Sequence, residues 1–280
     1  MKNQYKYQRY FLQIAYRGSH YHGWQLQPNA PTIQGEIEHA FQRMNKPVSL
    51  VGSSRTDTGV HAMLQVAHVD LPEKVVCGTL RHSLNALLPP AITVRNILPV
   101  QPSQHARFGA LKRRYIYRIT RLQDPFLHGL YYYFSKPLNI EVMNKGAADL
   151  LGRHDFSSFC KKKTVLPHYE CNVQEATWKA DETGYSFYIT SNRFLRGMVR
   201  SIVGTLLDVG TGTIPPEDIA TILKHKDRRK AGRSLPPEGL FLSAVVYPEG
   251  FFTTYAETHQ VLEEPYNSQS VLAVTPHVWL

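Results

Sequence analysis

Arg9 to Met44, RYFLQIAYRGSHYHGWQLQPNAPTIQGEIEHAFQRM, changes its hydrophobic period part-way, and that change decides the fold class. Leu12, Ile14 and Tyr16 recur at every second residue, as side chains on one face of a strand do. Glycines and prolines then punctuate a loop. After it Ile33, Ile37, Ala40, Phe41 and Met44 fall at i, i+4, i+7, i+8 and i+11, the spacing of one helical face.

Outward from that segment the alternation continues. The patterning predicts strands at 9–16, 47–53, 65–71, 92–98, 113–119, 171–179, 185–191 and 240–247. It predicts helices at 33–44, 80–88, 140–151, 194–209 and 216–226. Strand and helix mix in both halves, and hairpin-like spacings stand beside longer crossovers. That favours an α+β fold of two similar lobes, mainly antiparallel sheet flanked by helices, over a doubly wound parallel sheet. The lobe boundary is expected near Pro102, giving lobes 1–102 and 103–250 and a tail, 251–280, without a clear period.

The chain has 280 residues, 42% hydrophobic and 19% charged, which excludes a disulfide-stapled miniprotein, a disordered chain and a highly charged coiled coil. Lys plus Arg number 32 against 22 for Asp plus Glu, a net charge of +10, which points to an acidic partner, nucleic acid or an anionic membrane surface, or to nothing more than a basic proteome, and charge alone does not separate these. The N-terminus interleaves charges with aromatics, and no apolar run approaches about 18 residues. A soluble, cytoplasmic protein without a membrane span is the expectation. Cys77, Cys160 and Cys171 are far apart and form no C-x-x-C pair, which argues against a disulfide framework or a structural zinc.

Three segments carry possible chemistry. Ser53 to Ala62, SSRTDTGVHA, sets Arg55, Asp57 and Gly59 in a loop between strands, where a rigid frame can present a carboxylate; an Asx-type turn with a surface ion pair is the plain alternative. His61 in the same segment reads as a hydrogen-bonded structural residue. In ARFGALKRRYIYRI, period two puts Arg113, Tyr115 and Tyr117 on one face and Arg114 and Arg118 on the other. Rings and cations sharing a surface can stack bases and hold phosphates, or they are a half-buried sheet face with snorkelling arginines. In NRFLRGMVRSIVGTLLDVGTG, Leu195, Met198, Val199, Ile202, Val203 and Leu206 form a helical stripe with Arg196 and Arg200 on its flank. A partly buried arginine needs an anionic partner, which makes Arg200 a candidate to hold Asp57 ionised.

Lys224, Lys226, Arg228, Arg229, Lys230 and Arg233 make one basic run and Lys161, Lys162 and Lys163 another; either is a solvated face or a phosphate-tracking surface. Gly210-Thr211-Gly212 ends a helix and does not open one, so a dinucleotide loop is excluded by position. Walker A, H-E-x-x-H and G-x-S-x-G elements are absent from the sequence.

From about residue 9 to 248 the chain resembles the bacterial TruA-type tRNA pseudouridine synthases. The motifs come in family order: YRGSHYHGWQLQ with Gln34, SSRTDTGVHA, HARFGALKRRYIY, GRHDFSSF, FLRGMVRSIVGTLL and AGRSLPPEGLFLSAVVY. The resemblance implies that Asp57 is the catalytic nucleophile, that Arg55 assists extrusion of the target nucleotide and that Tyr115 packs on the flipped uracil. It implies that Arg200 pairs with Asp57 and Leu240 lines the pocket. Arg113, Arg196, Lys224, Arg228, Arg229 and Lys230 are the cations expected along the RNA backbone. The implied activity is an isomerase that converts uridine to pseudouridine at positions 38–40 of the tRNA anticodon arm. It would work without metal or organic cofactor, as a cytoplasmic homodimer whose lobes are related by a pseudo-twofold. Departures from the family pattern are Ser53-Ser54 before R-T-D, Gly109 for a usual Asp and Gly197 for a common His.

Bottom-up, breaking a C–N glycosidic bond and forming a C–C bond to the same ribose suits a carboxylate in a dry pocket, and no external donor is needed while the base stays trapped. Extruding the base costs a few kcal/mol that neighbouring side chains offset. The competing readings are a non-catalytic tRNA-binding protein, a synthase for other tRNA positions, and a metal-assisted nuclease using Asp57, His61 and Asp155.

Overall fold

The computed structural model describes residues 7–161 and 166–252. Lys162 and Lys163 of the second basic run, and the tail from residue 253 onward, lie outside the described residues.

The elements run β1 (Gln8–Tyr16), α1 (Ile33–Arg43), β2 (Val51–Gly52), β3 (His61–Leu71), α2 (Cys77–Leu87), β4 (Ile92–Val100), β5 (Lys112–Thr120) and β6 (Tyr132–Tyr133). They continue with α3 (Ile140–Ala148), β7 (Gly152–Asp155), β8 (Glu170–Ala180), β9 (Gly184–Ser191), α4 (Met198–Gly210), α5 (Asp218–His225) and β10 (Leu240–Val246). One sheet takes all ten strands in the order β4-β1-β3-β10-β5-β9-β8-β7, with β2 beside β3 and β6 beside β5. The pairings are antiparallel except β3 with β10 and β5 with β6. The fold is therefore α+β with a mainly antiparallel sheet, as expected.

Local chemistry accounts for the helices. Thr32 caps α1 by accepting the Gly35 N–H on its hydroxyl oxygen at 3.2 Å, and Ile33, Ile37, Ala40 and Phe41 turn into the core. Each fully buried Ile or Phe contributes about 1.5–3 kcal/mol. Helix α4 is apolar nearly all round and is enclosed accordingly. Helix α2 packs on β4, α3 packs on β8 and α4, and α5 packs on α3.

The chain crosses from one half of the sheet to the other between β4 and β5, where residue 102 lies. It returns once. Strand β10 lies antiparallel to β5 on one side and parallel to β3 on the other, where Phe241 faces His61 and Leu242 faces Ala62. This seam places the R-T-D loop, which ends where β3 begins, beside strands of the C-terminal half.

Three boundaries stand out against expectation, and two strands, β6 and β7, are unpredicted. The 47–53 strand shrinks to Val51–Gly52, because α1 side chains satisfy the backbone before it: Glu38 accepts the Leu50 N–H at 2.8 Å and Gln34 donates to the Leu50 carbonyl at 3.1 Å. Strand β3 begins at His61, since His61 and Ala62 pair with β10. Helix α4 begins at Met198 because Gly197 adopts φ +71°, outside helical space. Strand β7, unpredicted, forms against β8.

Past β10, Phe251 and Phe252 fold back on Tyr247 and Phe11, the Tyr247 and Phe251 rings stacking at 4.8 Å. A Cβ on Gly109 would meet the Phe251 ring at 2.6 Å, so the ring packs where a side chain would otherwise stand.

Candidate active site

Asp57 stands on a turn that the N-terminal half holds from several sides. Val60 N–H donates to the Asp57 carbonyl at 3.1 Å, closing the turn, and Gly59 takes φ +78° within it. Trp24 N–H donates to the Thr56 carbonyl at 3.2 Å, Gly59 N–H donates to the Tyr21 carbonyl at 3.2 Å, and the buried Tyr16 hydroxyl meets Thr56 Oγ1 at 2.8 Å. Gln65, wholly buried, donates to the Ser54 carbonyl at 2.8 Å and accepts from the Ser53 hydroxyl at 2.7 Å. The YRGSHYHGW segment thus wraps the loop, and the plain Asx-turn alternative is too small a description of it.

His61 ties three segments together. Its Nδ1 accepts the Gly18 N–H at 3.0 Å, which leaves Nε2 to donate to the Glu238 carbonyl at 3.2 Å, and its ring stacks on Phe241. Burial pulls its pKa down to about 4. With both nitrogens on backbone groups, His61 has no lone pair to offer a metal. Asp155, the third group of the nuclease reading, accepts the Ser157 N–H at 2.9 Å and pairs with Lys226 at 3.3 Å.

Above the turn Tyr115 is 5% exposed, its hydroxyl 3.2 Å from Ser54 Oγ and its ring set edge-on against Phe194 at 5.0 Å. Burial, with the Asp57 charge adding to it, pushes the phenol up to about 12, so it is neutral. The 5% exposure of Tyr115 matches the half-buried sheet face that the alternation of β5 allows. Arg55 points into solvent two residues before Asp57.

The cation beside Asp57 differs from expectation. Arg196 Nε lies 3.8 Å from Asp57 Oδ1, whereas Arg200 donates its Nε–H to the Leu235 carbonyl. The reason is the helix start: Arg196 precedes Gly197, so it sits on an irregular segment free to lean over the carboxylate, and only Arg200 follows the helical wheel. Both arginines line one cleft of about 650 Å³ with Asp57, Thr58, Lys161, Arg228, Arg229 and Arg233. Six cations thus face one carboxylate. Of the expected RNA-facing residues Arg196, Arg228 and Arg229 are in this wall; Lys224 and Lys230 are exposed outside it. Lys161 and Arg233, which the sequence shows only as members of charge runs, join it.

Arg113 sits elsewhere than anticipated. It turns inward, 9% exposed, with its guanidinium on backbone carbonyls and not toward solvent, so it is unsuited to grip a phosphate. Leu240 is buried at the start of β10, opposite Tyr117. Tyr16, Gln65 and Ser54 brace the loop without a signal in the sequence, because their partners are distant along the chain.

A family model described as tRNA pseudouridine synthase matches residues 13–109 and 147–248. The tRNA pseudouridine synthase A of Porphyromonas gingivalis is 45% identical over 249 residues, covering 87% of this chain and 99% of that one. The proteins of the same name from Parabacteroides distasonis and Bacillus subtilis are 44% and 40% identical, covering 87% and 84% of this chain and 98% and 97% of theirs. The chain belongs to the tRNA pseudouridine synthase family. The match to the family model spans the R-T-D loop, the α4 segment with Arg196 and Arg200, and β10. It pauses between 109 and 147, the stretch that holds β5 and Tyr115.

Proposed function

We propose that this protein isomerises uridine to pseudouridine in the anticodon arm of tRNA, at positions 38–40, with Asp57 as the reacting carboxylate. The observation that carries the reading is the placement of Asp57: a half-buried carboxylate on a braced turn, in a cleft walled by six cations, with the neutral Tyr115 packed on the same loop. A cleft built only to bind RNA needs the cations and gains nothing from a carboxylate that repels phosphate. The RNA backbone lies along Arg228, Arg229, Arg233 and Lys161. The target base leaves its stack, with Arg55 at the mouth of the loop filling the space it vacates, and lies against the Tyr115 ring. Asp57 takes part as the C–N glycosidic bond breaks; the trapped uracil turns; C5 bonds to the ribose carbon and loses its hydrogen as a proton. Nothing is added or removed overall.

No described helix is long and apolar enough to cross a membrane. A cytoplasmic homodimer with pseudo-twofold lobes rests on the family resemblance and completes the reading.

Tritium release from tRNA labelled at C5 of uracil reports formation of the C–C bond directly. Wild-type protein in EDTA releases tritium, and Asp57→Asn loses turnover at least a thousandfold while tRNA affinity stays within about tenfold. Turnover by Asp57→Asn removes Asp57 from the chemistry. Tight tRNA binding with no release by either protein establishes a binder in place of an enzyme.

A further inference from the structure

Arg113 is a buried cation without an acidic partner: among the described residues it enters no ion pair. Its guanidinium instead collects four carbonyls from three segments of the chain. Nη2 donates to Ser53 at 2.9 Å and Arg107 at 2.7 Å; Nη1 donates to Ala110 at 3.0 Å and Asn192 at 3.1 Å. Burying a guanidinium is costly, and convergent carbonyl dipoles offset that cost only while all three segments hold their places.

Two of those segments form opposite sides of the cleft. Ser53 opens the loop that ends in Asp57. Asn192 begins the irregular run to Gly197, which carries Phe194 against Tyr115 and Arg196 against Asp57. Asn192 is itself fixed, its side-chain oxygen accepting the Asn172 N–H at 2.8 Å and the Arg193 N–H at 2.9 Å. One planar fork therefore spans both walls.

We propose that Arg113 is a positioning residue that sets the Asp57 loop and the Arg196 segment at a fixed distance, so that carboxylate and cation meet in the geometry the reaction uses. The inference rests on Asp57 being the reacting group. Lysine keeps the charge but has one nitrogen in place of a fork, and it cannot reach all four carbonyls.

Arg113→Lys and Arg113→Met are compared with wild type for kcat and KM in tritium release, for tRNA binding, for thermal stability and for amide hydrogen exchange. The expected result is a kcat lowered 10- to 100-fold, with KM and tRNA Kd within threefold, at a temperature where the variants are folded. Peptides covering 53–60 and 192–198 lose exchange protection together while β1 keeps its own. A residue with only a stability role lowers the melting temperature and leaves kcat of the folded protein within threefold, and that outcome overturns the proposal. So does loss of protection in one of the two segments alone. If Arg113→Met does not fold, Arg113→Lys alone decides by the same readings. Turnover by Asp57→Asn sinks the underlying reading, whereas a dead Asp57→Asn beside fully active Arg113 variants sinks this inference alone.

Discussion

Gly23 shows how closely single residues control the carboxylate. It adopts φ +92°, and the place of its missing Cβ is 2.5 Å from the Thr56 carbonyl oxygen and 3.1 Å from the Asp57 carbonyl carbon. Alanine there pushes on backbone, which cannot swing away as a flexible side chain does, and it adds about 1–2 kcal/mol of left-handed strain. Displacing a reacting group by a fraction of an ångström to 1 Å costs up to about a hundredfold in rate. Gly23→Ala therefore lowers the single-turnover rate of tritium release about 10- to 100-fold in a protein that still folds; a rate within twofold of wild type refutes the loop-bracing account. Gly197 behaves differently. Its φ is +71°, but the nearest atom a Cβ would meet, Lys161 Cβ, is 3.6 Å away, so a side chain has room and only the backbone objects. Histidine tolerates the left-handed region better than most residues, so Gly197→His is among the milder substitutions there. At this scale the sequence is legible in placing Asp57 on a loop between strands and Tyr115 on a strand, because those patterns are local. It misleads for Arg113 and Arg200, because a wheel or an alternation ranks exposure and cannot see a carbonyl cluster or a helix that starts late.

Among the elements, β3 carries a pH dependence that its two buried histidines impose. His61 and His68 are both pulled down to about 4, chiefly by burial. His68 accepts the Ala106 N–H at 3.2 Å on Nδ1, as His61 accepts the Gly18 N–H, so protonating either ring breaks a bond from backbone. Their folded-state values lie below the ordinary 6.5 of the unfolded chain. As pH falls below 6.5 the unfolded chain therefore takes up protons that the folded one refuses, and stability drops until the folded values are reached. It is complete above pH 6.5. For His61 the loss amounts to about 3 kcal/mol across that window. The melting temperature is expected to be level from pH 8 to 6.5 and to fall steadily from 6.5 to 4.5, above the range where paired carboxylates titrate. A level melting temperature down to pH 4.5 contradicts buried neutral histidines. The same strand marks where periodicity stops being informative. Residues 65–71 alternate legibly, but His61 and Ala62 become strand only because Phe241 and Leu242 arrive beside them, and no local window contains that partner. The short β2 has the converse cause, with Gln34 and Glu38 of α1 capturing the Leu50 backbone that a neighbouring strand would otherwise use.

For the whole molecule, the surplus of ten positive charges matters through its distribution, which only the fold reveals. The basic run 224–233 reads as one patch, yet the turn after α5 divides it. Arg228, Arg229 and Arg233 face Asp57 across the cleft, while Lys224 and Lys230 face elsewhere. Neighbouring acids divide it further: Lys226 pairs with Asp155 at 3.3 Å and Arg229 with Asp227 at 2.7 Å. Each phosphate contact contributes about 0.7–0.9 to the slope of log affinity against log salt, so the slope counts cations that meet RNA. Arg228→Ala with Arg229→Ala is expected to weaken tRNA binding and to reduce the slope by about 1.5, measured by filter binding between about 50 and 200 mM salt. Lys224→Ala with Lys230→Ala removes the same formal charge and is expected to leave the slope within about 0.3, since screened charges outside the cleft act only at long range. Equal slopes for the two double variants mean that RNA senses the overall charge of the run and not the cleft wall. Unequal slopes in the expected order tie the RNA path to the side of the molecule on which Asp57 is presented.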